Sequence, residues 1–192
     1  MVAKEEMKGE AMIQQVIDRL EGMSKQGVSY DSKGRHGWRN PVRSDTGPFL
    51  AAFGKLPQVK RILEVGTAYG LSACYLGVGG AEITTIEWDE EVGKEAQANL
   101  DEAGVEAHVV CGDALVALQV IQKKFDLVFM DANKDGYLEQ IKLIEPKLNP
   151  GAIILADNVI DRQAECQNFL DYMAGRSIII PTECGLLVGQ LP

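Results

Sequence analysis

Short apolar runs separated by segments of helical periodicity limit what this chain can become more than any other feature. The runs cover residues 62–65, 83–86, 107–110, 127–130 and 152–156. Between them, Val92, Ala96, Leu100 and Ala103 share one helical face, and Tyr137, Ile141, Ile144 and Leu148 share another. Strands with uninterrupted apolar sequence are buried on both sides, which requires helices above and below a mostly parallel sheet. Cys166, Phe169, Leu170 and Met173 mark a further helix, and residues 177–180 and 186–188 read as two closing strands punctuated by Pro181 and Gly185. The chain has 192 residues and shows no internal repeat or linker, so the expectation is one α/β domain over 1–192.

Upstream of this alternation, Met12, Ile13, Val16, Ile17, Leu20 and Met23 form one helical stripe, suited to packing on the domain or on a second subunit of a homodimer. Residues 27–47 form a loop rich in Gly, Ser and Arg that carries Trp38 and Pro41. Asp45 or Thr46 is placed to cap a short helix running toward Phe53. This N-terminal helix and loop, about 1–48, are expected to cover the ligand-binding end of the sheet.

Composition narrows the partners. The net charge is −9, which repels polyanions at long range and argues against DNA, while favouring a small cation. No run approaches the ~20 apolar residues of a membrane span. Lys4, Glu5, Glu6, Lys8 and Glu10 leave no apolar core for a secretion signal, so no membrane association and a cytoplasmic location are expected. Cys74, Cys111, Cys166 and Cys184 form no CxxC pair, and His36 and His108 are the only histidines. A disulfide framework or a zinc site is therefore not expected.

Ligands of doubly wound sheets bind beyond the carboxyl ends of the strands, where strand order reverses. The polar residues that close the runs are Glu64 with Gly66, Glu87, Gly112 with Asp113, Asp131, and Asp157 with Asn158. Gly66 and Gly70 flank a turn where a Cβ would obstruct a close backbone approach, here expected to be that of a ligand. Ser72 follows at a helix start, where free N–H groups favour a carboxylate. The dinucleotide pattern G-x-G-x-x-G is absent, Ala68 standing at its third position. Glu87 lies 21 positions after Gly66, and an acid about 20 residues past the glycine loop is placed to hold a ribose diol. Trp88 either stacks on a nucleobase or packs, and Asp113 can accept from the exocyclic amine of adenine.

The order EVGTAYG, IEWD, GDAL, FDLVFMDANKDGYL and ILADNV resembles the cation-dependent O-methyltransferases, the group with the catechol and caffeoyl-coenzyme A enzymes; the likeness runs from Trp38 to Val188. It implies a Rossmann-like class I methyltransferase fold, with a seven-stranded, mostly parallel sheet, helices on both faces and the last strand inserted antiparallel. It implies S-adenosylmethionine as cofactor, with Val42, Gly66, Ser72, Glu87 and Asp113 lining its pocket and Tyr69, Gly70, Trp88, Ala114 and Asp131 completing the set.

Asp131 closes the fourth strand and Asp157–Asn158 the fifth. Neighbouring strands lie ~4.8 Å apart, so these three side chains can converge on one point. Two carboxylates and an amide oxygen suit a hard cation, Mg²⁺ or alternatively Mn²⁺ or Ca²⁺; the bland alternatives are a loop cap at Asp131 and an Asx turn at Asp157. Lys134, three residues on, can reach the same acceptor oxygen as general base, a role the resemblance supports. Tyr137 shares the motif, but its place on the helix face points to packing.

The acceptor end is written less clearly. Trp38 and Val42 stand where catechol-type relatives keep a hydrophobic wall, and Lys33, Arg35, Arg39 and Arg43 form a basic cluster suited to an acceptor carboxylate or phosphate. Pro181 occupies the place of an acid found in catechol-type enzymes, with Glu183 nearby. The leading expectation is O-methylation of a small catechol-like or vicinal-hydroxyl molecule. Alternatives are a hydroxylated base of tRNA as acceptor, or a noncatalytic nucleoside-binding module.

Overall fold

The computed structural model describes residues 2–25 and 41–191. The apolar runs become β1 (Arg61–Val65), β2 (Glu82–Glu87), β3 (Ala107–Cys111), β4 (Phe125–Met130) and β5 (Leu148–Ala156), followed by β6 (Ser177–Ile180) and β7 (Leu186–Gly189). Their order in the sheet is β3-β2-β1-β4-β5-β7-β6. Strands β1 to β5 run parallel, and β7 enters antiparallel between β5 and β6. The helices are α1 (Val2–Lys25), α2 (Gly47–Gly54), α3 (Leu71–Gly77), α4 (Glu90–Ala103), α5 (Ala114–Val120), α6 (Tyr137–Ile144) and α7 (Gln163–Met173).

Side chains alternate across each strand, so every strand feeds two cores. Ile62, Leu127 and Phe129 join Leu50, Leu76 and Leu100 beneath α1 to α4. Leu63, Val65 and Val128 join Leu118, Ile141 and Phe169 beneath α5 to α7. The N-terminal stripe is used within the chain itself: Ile13, Val16, Ile17 and Leu20 are buried as α1 lies across α3 and α4. Arg19 Nη2 fastens it, 2.7 Å from Glu102 Oε2 and 3.1 Å from Asn99 Oδ1.

Two short helices have local causes that the apolar pattern does not show. Helix α5 is only seven residues long, and Asp113 Oδ1 caps it by accepting from Leu115 N at 2.8 Å and Val116 N at 3.2 Å. Thr46 holds the N-cap position of α2 without a side-chain cap bond. Asp45 caps nothing there. Its Oδ2 accepts from Glu183 N at 2.6 Å and ties the segment before α2 to the β6–β7 loop.

Strand order reverses between β1 and β4, and the chain after β1 turns at Gly66. The reason for this glycine differs from the sequence expectation. Its φ is +102°, and a Cβ there would lie 2.5 Å from the carbonyl oxygen of Asp131. Protein backbone at the end of β4, rather than a ligand, fills that space. Gly70, at φ +86°, likewise abuts the Leu100 side chain.

Gly66→Ala is therefore expected to force the ends of β1 and β4 apart. A loss of at least about 2 kcal/mol in urea unfolding is predicted from the strained φ and the backbone clash. A change below about 0.5 kcal/mol would contradict that packing.

Candidate functional site

The carboxyl ends of β1, β2, β4 and β5 open into one cleft of about 750 Å³. Val42, Gly66, Tyr69, Ser72, Glu87, Trp88, Asp113 and Ala114 line one part of it; Asp131, Lys134, Asp157 and Asn158 line the other. Of the predicted site residues only Gly70 is not among the lining residues; it sets the turn instead. Among the described residues, helix α1 contributes none to the lining, whereas Pro41, Val42 and Arg43 do contribute. Trp38, Lys33, Arg35 and Arg39 lie outside the described residues.

On the Glu87 side, the carboxylate organises the glycine loop before it can hold anything else. Glu87 Oε2 accepts from Ala68 N at 2.9 Å and Oε1 accepts from Asp89 N at 3.1 Å. Ala68 sits at φ +46°, a left-handed conformation that L side chains avoid, and the bond to Glu87 holds it there. Trp88 is 74% exposed at the cleft rim, so packing is not its role in this structure.

Beneath the loop, Glu64, noted in the sequence among the polar residues at the strand ends, anchors a polar network whose partners the sequence did not show. Glu64 is fully buried in β1; its Oε2 accepts from Thr85 Oγ1 at 2.5 Å, and Thr85 Oγ1 is 2.6 Å from Thr67 Oγ1. Glu64 Oε1 has no hydrogen-bond partner among the described residues. Burial pushes the Glu64 carboxyl up to about 7, opposed by hydrogen bonds from Ser72 and Thr85 and reinforced by the charges of Asp131 and Glu87. An acid inside an apolar strand run is the signal that could have revealed it.

The other side is built by β4 and β5. Met130 pairs with Ala156 in parallel register, so Asp131 and Asp157 leave the sheet side by side. Lys134 Nζ is 2.6 Å from Asp131 Oδ1, and the two side chains are only 10% and 13% exposed. Asp157 is buried, and its Oδ1 has no hydrogen-bond partner among the described residues. Burial, then the neighbouring charge of Asp131, pushes Asp157 well above the usual carboxylate range. Burial also raises Asp131, against the pull of the Lys134 ammonium.

Tyr137, placed by sequence on a packing face, packs edge-on against Phe169 with ring centroids 5.4 Å apart. It does more than pack. Its hydroxyl lies 2.7 Å from Met130 O and 3.1 Å from Asp157 O, bridging the ends of both strands. At the rim, Arg43 Nη1 is 3.8 Å from Glu183 Oε1, and Arg162 pairs with Glu165. The charge of Asp161 acts on both of these arginines, and Lys134 is the cation bonded to Asp131.

A doubly wound sheet whose switch-point cleft joins a glycine loop and ribose-type acid to an oxygen-donor cluster defines a class I methyltransferase fold. The family described as "Methyltransferase domain" matches residues 63–159. Among curated relatives, the catechol O-methyltransferase of Mycobacterium tuberculosis is 35% identical over 128 residues, 64% of this chain and 58% of the relative. The catechol O-methyltransferase of Bos taurus is 31% identical over 152 residues, 73% of this chain and 55% of the relative. The structure of the O-methyltransferase TomG from Streptomyces achromogenes in complex with SAM superposes with a TM-score of 0.70 at 28% identity, covering 79% of this chain and 81% of that one. The chain belongs to the methyltransferase-domain family. It spans between 55% and 58% of the length of the two catechol enzymes. Among the described residues, no helix is long and apolar enough to cross a membrane.

The buried Glu64 makes stability depend on pH with a definite sign. Its folded pKa lies above the unfolded value, so the folded state binds the extra proton, and stability falls as pH rises from about 4.5 to about 7. The stability of the wild type minus that of Glu64→Gln is expected to fall by about 3 kcal/mol across that window and then level off. Parallel stability–pH curves for the two proteins in urea titrations would contradict this.

Proposed function

We propose that this chain is an S-adenosylmethionine-dependent O-methyltransferase whose acceptor is a small catechol-like or vicinal-hydroxyl molecule held beside a divalent cation. The observation that carries the reading is the buried, unpartnered Asp157 Oδ1 next to the Asp131–Lys134 pair, in the same cleft as Glu87. An orphaned buried carboxylate oxygen is costly unless something positive meets it. Asp131 and Asp157 line the same part of the cleft, with Lys134 bonded to Asp131 and Asp157 Oδ1 left without a partner among the described residues. Oxygen donors without thiolate or imidazole fit a hard dication, so Asp131, Asp157 and Asn158 would hold Mg²⁺, with Mn²⁺ or Ca²⁺ as substitutes.

The cofactor, when bound, supplies an electrophilic methyl group on a sulfonium. Glu87 would hold its ribose, Ser72 at the start of α3 its carboxylate, and Asp113, Ala114 and Trp88 the adenine; Val42, Gly66, Tyr69 and Asp131 would complete the wall. The cation, when bound, supplies electrostatic preference for the acceptor oxyanion. A phenol near pKa 10 is almost wholly protonated at neutral pH, so a proton must be removed before the oxygen attacks. Lys134 Nζ lies 2.6 Å from Asp131 Oδ1 and would serve as the general base: having released one proton to solvent, it takes the acceptor's hydroxyl proton as the oxygen attacks the methyl group. The cleft walls hold acceptor and methyl donor together, which supplies several kcal/mol of the barrier.

Turnover of a catechol probe with labelled cofactor is expected to vanish with excess chelator and return with Mg²⁺. Asp157→Ala is expected to lose at least about a hundredfold in rate, while calorimetric affinity for the cofactor stays within about twofold of wild type. Undiminished turnover in chelator would remove the cation from the reaction. Lys134→Ala is expected to lower kcat by about 10²–10⁴-fold with little change in cofactor affinity. A wild-type rate across the pH range would remove the assigned base.

A further inference from the structure

The segment after Asn158 carries a carboxylate that neither the cofactor nor the donor trio employs. Asp161 lies on the cleft wall, and Asn158 Nδ2 donates to its Oδ2 at 3.3 Å. The turn that presents it is stitched on several sides. Val159 N donates to Gly185 O at 3.1 Å, Ile160 N to Cys184 O at 2.9 Å, and Arg162 N to Asn158 O at 3.1 Å. Asn158 itself adopts φ +63°, a left-handed conformation that asparagine tolerates better than most residues, so its backbone is fixed in direction. What remains undetermined by backbone alone is which end of the amide faces the donor cluster.

That choice matters, because an amide oxygen can coordinate a cation and an amide nitrogen cannot. A carboxylate only accepts hydrogen bonds, so the amide atom facing Asp161 must be the NH₂ group. The oxygen is then turned away from Asp161. We infer that Asp161 is a positioning residue, which holds the Asn158 amide so that its oxygen is presented to the divalent cation shared with Asp131 and Asp157. This inference rests on the proposed cation site. Partners of metal ligands act in this way generally, fixing the orientation of a side chain they do not replace.

The account separates orientation from charge, and substitutions can do the same. Asp161→Asn keeps an acceptor oxygen for Asn158 Nδ2 and removes the charge. Asp161→Ala removes both. Asn158→Asp makes the two ends of the ligand equivalent, so orientation loses its value and Asp161 becomes a like-charged neighbour.

Mn²⁺ binding to the cofactor-loaded protein, followed by electron paramagnetic resonance of the free ion, reads this directly without turnover. Asp161→Ala is expected to weaken Mn²⁺ about tenfold, the low end of what such partners contribute, because this bond is long and exposed. Asp161→Asn is expected to stay within about threefold of wild type. In the Asn158→Asp background, Asp161→Ala is expected to leave Mn²⁺ affinity unchanged or raise it, so the double-mutant cycle is non-additive. Equal affinity of wild type and Asp161→Ala would overturn the inference while leaving the cation site in place. Equal losses in both backgrounds, or a full loss in Asp161→Asn, would also overturn it by showing that the charge itself acts. Failure of the wild type to bind Mn²⁺ would overturn the cation reading and this inference with it.

Discussion

One hydroxyl holds the chemistry-bearing end of the sheet together. Tyr137 Oη lies between the carbonyl oxygens of Met130 and Asp157, the residues that end β4 and begin the turn after β5. Parallel pairing alone brings these strands to ~4.8 Å, but strand ends fray unless their last carbonyls are satisfied. The tyrosine is fully buried, packed edge-on against Phe169 and crossed by the Lys134 ammonium 5.5 Å from its ring centroid. From the β1 side, the missing Cβ of Gly66 lets the carbonyl of Asp131 settle against the turn after β1. Together with the backbone bonds from Asp131 N to Val65 O and from Asp157 N to Met130 O, these two contacts hold the strand ends from which Asp131 and Asp157 project.

Crowding negative charge at that point is unfavourable in the isolated chain. Burial and mutual repulsion raise both Asp131 and Asp157, and Lys134 offsets only part of the charge. Buried like charges with an unpartnered oxygen are usually found where a positive group is to be received. The cofactor side shows the opposite economy. Glu87 and Asp113 each satisfy backbone N–H groups first, Glu87 on the glycine loop and Asp113 on the cap of α5. The Glu87 end of the cleft is thus organised by internal bonds, whereas the Asp131–Asp157 end keeps a buried carboxylate oxygen without a partner among the described residues.

Much of this was readable from residue order. The apolar runs gave the strands because a parallel sheet buried on both faces tolerates no polar interruption, and the acids at their ends mark the cleft because strand termini are where such acids can sit exposed. Strand β5 begins earlier than its apolar run, at Leu148, because Leu148 pairs with Phe125 across a register shift that hydrophobicity does not encode. Helix α5 escaped because seven largely apolar residues have no clear polar face, and its cap, Asp113, reads equally well as a ligand. The cause of Gly66 was legible as a steric need but not as to which atoms impose it, since Asp131 is 65 residues away in sequence. The bonds of Glu64 with Thr85 and of the Tyr137 hydroxyl with Asp157 O join residues far apart in sequence, and no local pattern announces such bonds.

The account stands on the claim that the ends of β4 and β5 form one receptor for a hard dication. Crystals grown with the cofactor and soaked in Mn²⁺ would test it through anomalous scattering from the ion. The account predicts a single strong peak ~2.0–2.3 Å from carboxylate oxygens of Asp131 and Asp157 and from the amide oxygen of Asn158. A well-ordered cleft with cofactor bound and no anomalous peak among those three side chains would contradict it.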